Sequence, residues 1–576
     1  MRLGNLDIEE VWAADFEFSA PPGERPTPIC LVARNLVTGV TVRYFGDDLR
    51  ALKRAPFRTD GGAVFVAYYA VAEIACFLEL GWPLPEKVLD LFVEFRRVTN
   101  GRPPACGYGL LGALAHFNIP AIDAAGKVEM RDLAIRGGPF TDDEAAALLA
   151  YCETDVLALA GLVPALAGAL GDLDRALLRG DYIKAVARME RVGIPVDDKL
   201  VRTLDGAWER IQDQLIQVVD SRFGFYEGRS FRTALFAAWL GDRGMQWLRL
   251  PSGELDLSDD AFKQMVRAYP ALQPVRELRR TLSGLRLHEL AVGRDGRNRA
   301  MLSPFRARSG RNQPSNSKFI FGNASWLRGL IKPEPGSGLA YIDWSQQEFG
   351  IAAALSGDEA MMRAYASGDP YLEFAKQAGA APPSATKRSH AAVREQFKAC
   401  ALGVQYSMGP DALALRMGST PAHARELLFL HHRTYPHFWK FVDGAVTYAM
   451  VHGRLWTTFG WDLHVGSDVN PRSLGNFPMQ SNGAEMLRLA CILASRAGVR
   501  ICAPVHDAVL IEAPLEELDA RIADMQAAME EASALVLDGF RLRSDVKVVR
   551  APDRFMEERG RPMWDTVMGL LGRPDQ

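Results

Sequence analysis

The strongest constraint on the fold is an aspartate that ends an apolar, strand-like run and is followed at once by a helix-like pattern. The segment is residues 341–348, with the sequence YIDWSQQE, and its aspartate is Asp343. A second apolar run ends at Val505 and is followed by His506 and Asp507. Two neighbouring strands of one sheet would present both carboxylates to the same metal ions. Mg²⁺ is the expected ion, because it prefers such oxygen ligands. The alternative for each aspartate alone is the N-cap of a helix.

A third pattern places two cations, an apolar residue and an aromatic residue four positions apart: Arg394, Lys398, Leu402 and Tyr406. On a helix these positions form a nearly straight stripe about 18 Å long. The order of side chains suits a nucleotide lying along the helix. An ordinary amphipathic surface helix is the alternative.

The length of 576 residues exceeds one core and predicts two to four lobes, from the usual size of about 100 to 200 residues per domain. Residues 1–175 alternate strand-like and helix-like runs, which predicts an α/β domain. From about residue 181 to 290 apolar residues recur at spacings of three and four, as expected of packed helices.

The net charge of −3 gives no global sign of nucleic-acid binding. Charge is nevertheless clustered: residues 276–318 hold eleven Lys or Arg and three acids. This stretch favours a path for a polyanion, with a solvated charged face as the alternative.

The seven cysteines are scattered and show no paired CxxC spacing, which predicts a reducing compartment and no zinc site. The N-terminus lacks the basic and then apolar pattern of a signal peptide. The longest weakly polar stretch, residues 156–170, is too short to span a membrane and contains Pro164. We expect a cytoplasmic protein that needs no membrane.

The three patterns together resemble motifs A, B and C of family A DNA polymerases. The resemblance implies an α/β multidomain protein, in which a right-hand polymerase fills residues 176–576. Its thumb would span about 181–335, its palm about 336–380 and 455–576, and its fingers about 381–454. Primer-template DNA and deoxynucleoside triphosphates (dNTPs) are the implied partners, and we expect a monomer.

The resemblance also assigns roles to single residues. Asp343 and Asp507 would hold two Mg²⁺ ions, for which Mn²⁺ can substitute. Arg394 and Lys398 would contact the triphosphate, and Lys398 would take part in catalysis. The remaining implied nucleotide contacts are Gln346, Leu402 at the sugar, Tyr406 at the nascent base pair, and Glu348 as a steric gate against a ribose 2′-hydroxyl. The implied DNA contacts are Arg311, Arg472, Asn476, Gln480 and His506.

Four positions depart from the family pattern. Ala508 follows Asp507 where the family has a glutamate, so one acidic group is missing from motif C. Leu402 replaces an aromatic residue, Ser407 replaces a glycine, and Tyr371 stands where many members have a histidine. Substrate selectivity can therefore differ from the family pattern.

The N-terminal part carries a second acidic pattern. Asp15 and Glu17 share one face of a predicted strand. Tyr151 and Asp155 are one helical turn apart. The pair of segments resembles motifs I and III of the proofreading exonucleases that precede family A polymerases.

That resemblance implies an RNase H-like 3′–5′ exonuclease domain over residues 1–175. Its metal ligands would be Asp15, Glu17, Glu73 and Asp155, and Tyr151 would position the attacking water. Motif II departs from the family, because Glu73 and Tyr69 stand where an aspartate and an asparagine are usual.

Two other functions fit parts of the pattern. One is an exonuclease whose polymerase half only clamps DNA, and the other is a nucleic-acid-binding scaffold. Intact Asp343, Lys398 and Asp507 favour a polymerase, since binding alone needs no acids facing an anionic backbone. A single-subunit RNA polymerase shares parts of motifs A and B, but Glu348 and the exonuclease motifs disfavour it.

Overall fold

The structure is a computed structural model that describes residues 2–3, 6–120, 125–284, 289–466 and 469–572. The N-terminal part alternates strands and helices, as its sequence pattern predicts. Its strands are β1 (Arg2–Leu3), β2 (Leu6–Asp7), β3 (Glu10–Ser19), β4 (Thr27–Asn35), β5 (Thr41–Phe45), β6 (Ala63–Ala67) and β7 (Lys87–Asp90). Its helices are α1 (Gly46–Ala51), α2 (Val71–Glu79), α3 (Leu91–Val98), α4 (Leu110–His116), α5 (Ala125–Arg136) and α6 (Asp142–Ala167).

Strands β3 to β7 form one mixed sheet in the order β5-β4-β3-β6-β7. β4 pairs antiparallel with β3 and β5, whereas β6 pairs parallel with β3 and β7. The β3–β6 pairing ends at Ala13, so Asp15 and Glu17 lie on the part of β3 that extends beyond β6. The acidic end of the central strand is therefore open on that side.

Helix α6 packs against β3 and β4 and carries two residues of the predicted nuclease site. It begins at a capping box, in which the Glu144 N–H donates to Thr141 Oγ1 at 3.2 Å and the Thr141 N–H donates to the Glu144 carboxylate at 2.9 Å. By length and composition it is the one described helix that could cross a membrane. Its residues Leu148, Cys152 and Leu159 are buried in the domain core, and core helices of folded domains pass the same test.

The following helix, α7 (Leu173–Val192), runs through the predicted domain boundary at residue 175. It packs on α2 and β7 of the N-terminal part and on α20 and β15 of the C-terminal part, whose bounds follow below. Gly180 permits the close approach to β7, because a Cβ at this position would lie 1.9 Å from the Val88 carbonyl oxygen. The helix therefore joins the two parts, and no linker separates them there.

The middle part is rich in helices, as predicted. Its elements are β8 (Ile194–Pro195), α8 (Asp198–Asp220), β9 (Tyr226–Glu227), β10 (Ser230–Phe231), α9 (Thr233–Asp242), α10 (Asp259–Ala268), α11 (Gln273–Gly284) and β11 (Arg297–Asn298). Phe225, Phe236, Trp247 and Phe262 form a core of their own beside the small β9–β10 hairpin.

The C-terminal part combines one sheet with many helices. Its strands are β12 (Ser337–Trp344), β13 (Arg454–Trp456), β14 (Asp462–His464), β15 (Ile501–Val505), β16 (Ala508–Pro514) and β17 (Ser544–Arg550). Its helices are α12 (Gln347–Ser356), α13 (Glu359–Ala366), α14 (Pro370–Gln377), α15 (Ala391–Gln405), α16 (Pro410–Met417), α17 (Pro421–Thr434), α18 (Pro436–His452), α19 (Pro471–Gly475), α20 (Phe477–Arg496), α21 (Leu518–Val536) and α22 (Arg561–Leu571). The main sheet has the order β15-β16-β12-β17, and all its pairings are antiparallel.

A buried ionic network holds the N-terminal and C-terminal parts together. The Arg97 guanidinium on α3 lies 2.5 Å from the Asp462 carboxylate on β14 and 3.0 Å from Glu94. Arg179 on α7 lies 2.6 Å from Glu94. Removing one partner of a buried ion pair typically destabilises the folded protein by about 3 to 5 kcal/mol. These pairs therefore hold the two parts in one arrangement.

Candidate active site

Asp343 and Asp507 lie next to each other at one edge of the C-terminal sheet. Asp343 is the penultimate residue of β12, and Asp507 lies in the turn between β15 and β16. Across the β12–β16 pairing Asp343 is opposite Ala508, and the Trp344 N–H donates to the Asp507 carbonyl oxygen at 3.3 Å. The structure thus brings together two carboxylates that are 164 positions apart along the chain.

The electrostatics of this edge disfavour a second negative charge. Burial raises the pKa of Asp343 to about 7, with further increases from the charges of Asp507 and Asp545. Burial also raises the pKa of Asp507, against the opposing charges of Arg311 and His506. The Oδ1 atom of Asp343 is buried and has no hydrogen-bond partner among the described residues. Close carboxylates with incomplete neutralisation fit a divalent cation as their missing partner.

Asp545 is a third acidic residue at this edge, and the sequence motifs do not reveal it. It lies on β17 directly opposite Asp343, and the Ser345 hydroxyl donates to its Oδ2 atom at 2.7 Å. The neighbour of Asp343 on β16 is Ala508, so the carboxylate that is missing there is present on the other side of β12. Charged residues on edge strands such as β17 commonly prevent pairing with the edge strand of another molecule. The sequence around Asp545 therefore does not indicate a role in the site.

Helix α15 carries the predicted stripe. Its opposite face is buried through Phe397, Cys400, Ala401 and Val404. The prediction of one helix from Arg394 to Tyr406 is wrong at its end, because the helix stops at Gln405 and Tyr406 is the C-cap residue. Tyr406 remains 52% exposed. Burial raises its pKa, as does the charge of Glu348.

The two cations of α15 differ in their surroundings. The Arg394 guanidinium lies 2.5 Å from the Asp369 carboxylate and 2.6 Å from that of Glu395, with the Tyr371 ring centroid at 5.6 Å. For Lys398 the described residues supply one ion pair, a long contact of 3.9 Å with Glu395, and its side chain is 41% exposed. Lys398 is therefore the cation that a triphosphate can reach with less competition.

Glu348 lies in the first turn of α12, close to Arg311. The Arg311 guanidinium is 3.5 Å from the Glu348 carboxylate. Burial raises the pKa of Glu348, and the Arg311 charge opposes that rise. Arg311 also lies in the field of Asp507, so this arginine links the predicted steric gate to the aspartate pair.

Three residues next to these motifs have a left-handed backbone: Gln346 (φ 48°), Ser407 (φ 51°) and His506 (φ 58°). Residues other than glycine rarely adopt this conformation, which stores about 1 to 3 kcal/mol each and concentrates at functional sites. The positive φ at residue 407 explains why the family prefers glycine at this position. The Ser407 hydroxyl donates to the Arg472 carbonyl oxygen at 3.1 Å, which offsets part of the strain.

The predicted DNA contacts lie where α19 meets α20. Arg472 is exposed on α19, Asn476 joins the two helices, and Gln480 lies in the first turns of α20. The Oδ1 atom of Asn476 is buried without a hydrogen-bond partner among the described residues, as is the Oε1 atom of Gln346. His506 is exposed beside Asp507. The hydrogen bond from Ser407 to the Arg472 carbonyl oxygen places α19 next to the C-terminal end of α15.

The basic stretch between residues 276 and 318 is largely neutralised in the structure. Arg297 is buried against Glu512 at 2.6 Å, Arg299 pairs with Asp295 at 2.6 Å, and Arg276 pairs with Asp259 at 3.0 Å. Glu512 and Asp259 lie outside this stretch, so counting local charges overstates its free positive charge. The prediction of a continuous basic path does not hold for these arginines.

The N-terminal carboxylates form a second acidic cluster. Burial raises the pKa of Glu73 strongly, and the charges of Asp15 and Glu17 add to the rise. Burial likewise raises the pKa of Tyr151, which faces Asp155, Glu17 and Asp15. The Cys152 thiol donates to the Asp15 carbonyl oxygen at 3.1 Å and so fixes α6 on β3. Asp15 and Asp155 also line one cavity, so the predicted residues on β3, α2 and α6 lie near one another.

Asp90 has a different task from these five residues. Its carboxylate accepts from the N–H groups of Tyr69 (3.0 Å), Ala70 (2.9 Å), Phe92 (2.9 Å) and Val93 (3.4 Å). It is thus the N-cap of α3 and the support of the turn before α2.

Neither acidic site is a preformed cage. Among the described residues, no group of three or more His, Cys, Asp or Glu side chains is arranged to hold a metal ion. Mg²⁺ usually binds through one or two carboxylates, with water and substrate phosphates completing its shell. A site of this open kind suits an ion that arrives with a phosphate substrate.

A sequence profile described as DNA polymerase family A matches residues 320–551, which include both aspartates of the sheet edge and helix α15. Residues 320–551 belong to DNA polymerase family A. This assignment confirms the resemblance that the three motifs carry.

Relatives of the family A region occur in bacteria and in a phage. DNA polymerase I of Chloroflexus aurantiacus is 25% identical over 368 residues, which cover 58% of this chain and 39% of that protein. The thermostable DNA polymerase I of Thermus thermophilus is 23% identical over 391 residues, or 62% and 45%. The DNA polymerase of Mycobacterium phage L5 is 23% identical over 403 residues, or 68% and 65%. The chain therefore spans less than half of the two bacterial relatives.

A solved structure shares its fold with nearly all of this chain. The polymerase domain of Pol1 from M. smegmatis, solved in complex with DNA primer-template and dNTP, superposes with a TM-score of 0.74. The match covers 94% of this chain and 95% of that one, at 18% sequence identity. At this identity the likeness concerns the fold, and it includes most of the N-terminal part.

Proposed function

We propose that this protein is a template-directed DNA polymerase that adds deoxynucleotides to a primer 3′-hydroxyl. The observation that carries the proposal is the meeting of Asp343 and Asp507 beside the cations of α15, within residues that belong to family A. In the reaction the primer 3′-oxygen attacks the α-phosphorus and the bond to the β-phosphate oxygen breaks. Pyrophosphate leaves, and the hydroxyl proton passes to solvent.

Asp343 and Asp507 would hold the divalent cations, with Mg²⁺ as the expected ion and Mn²⁺ as a substitute. Their buried, mutually repelling carboxylates supply the hard oxygen ligands that such ions require. The bound ions would neutralise charge that develops on the reacting oxygens. Asp545 lies one strand away and adds negative charge to the same edge.

The side chains of α15 would bind the nucleotide. Lys398 would neutralise part of the triphosphate charge. Arg394 would do the same once the triphosphate replaces its carboxylate partners. Leu402 would contact the sugar, and the exposed Tyr406 would lie at the nascent base pair. Arg311, Arg472, Asn476, Gln480 and His506 would contact primer and template, as polar groups that hold a backbone without reading its sequence.

Primer extension tests the proposal directly. The protein with a 5′-labelled primer-template, Mg²⁺ and all four dNTPs should extend the primer, and ribonucleotides should be used much less. Asp507→Ala should show no extension. Extension by neither protein, with DNA binding intact, would favour the scaffold or the exonuclease with a silent polymerase half.

Lys398→Ala should raise the apparent KM for dNTPs by about 10- to 100-fold, the equivalent of the 1.5 to 3 kcal/mol of a hydrogen bond to a charged group. Steady-state single-nucleotide incorporation measures the effect. Lys376→Ala is the matched control, since Lys376 on the neighbouring α14 also has only a long contact with a glutamate, 3.7 Å from Glu373. An equal loss of duplex affinity in Lys398→Ala would contradict its role as a triphosphate contact.

The proposed organisation follows from the elements. The thumb would comprise the helical part from about 181 to 335, the palm the β12–β17 sheet with its helices, and the fingers α15 to α18. The M. smegmatis fold supports this division. We expect the protein to act in the cytoplasm of a bacterial or phage-infected cell, because the relatives above are bacterial and phage proteins.

We infer a second activity, a 3′–5′ exonuclease in the N-terminal part. A mixed sheet of the order β5-β4-β3-β6-β7, in which β4 runs antiparallel to β3 and β5, and β6 runs parallel to β3 and β7, supports an RNase H-like fold. Asp15, Glu17, Glu73 and Asp155 would hold the metal ions, and Tyr151 would position water. The water oxygen would form a bond to the last phosphorus, the bond to the preceding 3′-oxygen would break, and a nucleoside monophosphate would leave.

A nuclease assay decides this inference. With Mg²⁺ and 5′-labelled single-stranded DNA, the protein should shorten the strand one nucleotide at a time. Asp15→Ala should slow cleavage by at least about 100-fold, because small displacements of reacting groups have effects of that size. Glu153→Ala is the control, since this acid on α6 pairs with Arg43 and is not a predicted ligand. Equal rates for Asp15→Ala and Glu153→Ala would reject the assignment.

A further inference from the structure

A cavity of about 540 Å³ lies between the N-terminal part and the segment 301–306 of the polymerase region. This size lies within the range of small-ligand sites. One wall belongs to the proposed nuclease and includes Asp15 and Asp155. The opposite wall consists of Met301, Ser303, Pro304 and Arg306. The cavity is thus shared by both parts of the chain.

The floor of the cavity is aromatic. Tyr68, Tyr69, Phe92 and Tyr108 line it, and the rings of Tyr69 and Phe92 meet edge to face at 5.3 Å. Aromatic faces beside carboxylates that would hold metal ions suit a nucleotide, whose base stacks and whose phosphate meets the ions.

The segment 301–306 is anchored independently of the Arg306 side chain. The Leu302 N–H donates to the Glu190 carboxylate at 2.6 Å. The Phe305 ring is fully buried, 5.2 Å from the ring of Trp461. Arg96 of α3 donates to the carbonyl oxygens of Phe305 and Arg306. Removing the Arg306 side chain therefore leaves these contacts intact.

Backbone strain is concentrated on both sides of this cavity. Tyr69 (φ 70°), Ser303 (φ 49°) and Phe305 (φ 58°) have left-handed backbones without being glycine. Such conformations persist only where surrounding contacts enforce them, and they concentrate at ligand-binding sites. Tyr69 and Ser303 line the cavity themselves, and Phe305 directly precedes the lining residue Arg306.

The lining residues include two cations, Arg96 and Arg306. Arg96 is occupied, since it donates to two carbonyl oxygens and lies 3.9 Å from the Tyr108 ring centroid. Arg306 is exposed and lines the cavity together with Asp15 and Asp155. A strand bound next to Asp15 and Asp155 needs a cation for the phosphate that does not meet the metal ions, and Arg306 is the lining residue able to supply it.

We propose that Arg306, a residue of the polymerase region, binds the phosphate of the last nucleotides of a single DNA strand in this cavity. The proposal rests on the proposed nuclease function and extends it, because the nuclease site is then complete only in the presence of the polymerase region. The terminal base would stack among Tyr69, Phe92 and Tyr108.

The test measures binding without cleavage. The full chain in EDTA is titrated into a single strand that carries 2-aminopurine at its 3′ terminus, whose fluorescence falls when the base stacks on aromatic rings. Arg306→Ala should weaken the Kd for this quenching by about 10-fold or more. Arg306→Lys should recover part of the affinity. Arg102→Ala is the matched control, since it removes an exposed guanidinium that does not line the cavity.

The outcomes separate this inference from the function on which it rests. Calorimetry of each variant first confirms that it is folded. A strand with 2-aminopurine at its 5′ terminus should show little quenching, which assigns the signal to the strand end. If the wild type binds and shortens the strand but Arg306→Ala behaves like Arg102→Ala, only the role of Arg306 is wrong. If the wild type neither quenches nor shortens it, the nuclease assignment itself is wrong.

Discussion

Asp343→Asn is expected to abolish primer extension and, at the same time, to leave the metal-free protein more stable than the wild type at pH 8. Activity should fall by about a thousandfold or more, because metal ions supply several kcal/mol of transition-state stabilisation and each 1.36 kcal/mol is a factor of ten in rate. Asparagine keeps the shape of aspartate but is a poor Mg²⁺ ligand.

The gain in stability follows from the direction of the pKa change. The pKa of Asp343 rises from its ordinary value of 3.8 to about 7 in the folded protein. A raised carboxyl pKa destabilises the fold as pH rises from 3.8 to about 7, and the penalty is complete at pH 8. Asparagine removes it, which we expect to be worth on the order of 2 kcal/mol, since water access at the edge reduces the full value.

Calorimetry in EDTA at pH 8 and pH 4.5 measures this difference. The variant should melt higher than the wild type at pH 8, and the gap should shrink at pH 4.5, where the wild-type carboxyl group is mostly protonated. Asp553→Asn, which neutralises an exposed acid on the loop after β17, should change neither property. Lost activity with lowered stability at pH 8 would indicate a misfolded variant and contradict the burial argument.

The sequence predicts those residues of the site whose positions follow from a local pattern of apolar and polar residues. Asp343 and Asp507 each end an apolar strand. Pairing of these strands in one sheet brings the two aspartates to the same edge. Asp15 and Glu17 share one face of a predicted strand because side chains alternate along it. Their neighbours in space depend on pairing register, which the local pattern does not encode.

Asp545 illustrates this limit. It reaches the site because β17 pairs with β12 in a register that sets it opposite Asp343. The stretch from residue 544 to 550 mixes polar and apolar residues and is mostly exposed, as is common for an edge strand. The missing acid at Ala508 is visible in the sequence, but the acid on the other side of β12 is visible only in the sheet.

Two other features escape local patterns because they depend on tertiary contacts. The boundary predicted at residue 175 lies inside α7, since a helix that packs on both parts has no composition change at its start. The basic stretch suggests a polyanion path, but Arg297 is buried with Glu512, a residue 215 positions later in the chain. Charge counts in a window cannot include such distant partners.

Glu348→Ala should relax discrimination between deoxyribose and ribose by about 10- to 100-fold. The Glu348 side chain is half-buried and pairs with Arg311, and the charge of Asp507 raises its pKa. Its position is therefore fixed, and the side chain does not easily move aside. Forcing an extra group into a filled space usually disfavours binding by about 1 to 3 kcal/mol, which corresponds to that range. The ratio of kcat/KM for a dNTP and its ribonucleotide measures the effect.

Glu348→Gln separates shape from charge, because glutamine keeps the volume of glutamate and removes its charge. If the side chain excludes the 2′-hydroxyl by its volume, glutamine should retain most of the discrimination that alanine loses. Arg311→Ala adds a second comparison, since it removes the 3.5 Å ion pair that helps hold Glu348 in place and should give an intermediate loss. Unchanged rejection of ribonucleotides in Glu348→Ala would assign the selectivity to another residue, such as Tyr406, whose pKa the Glu348 charge raises.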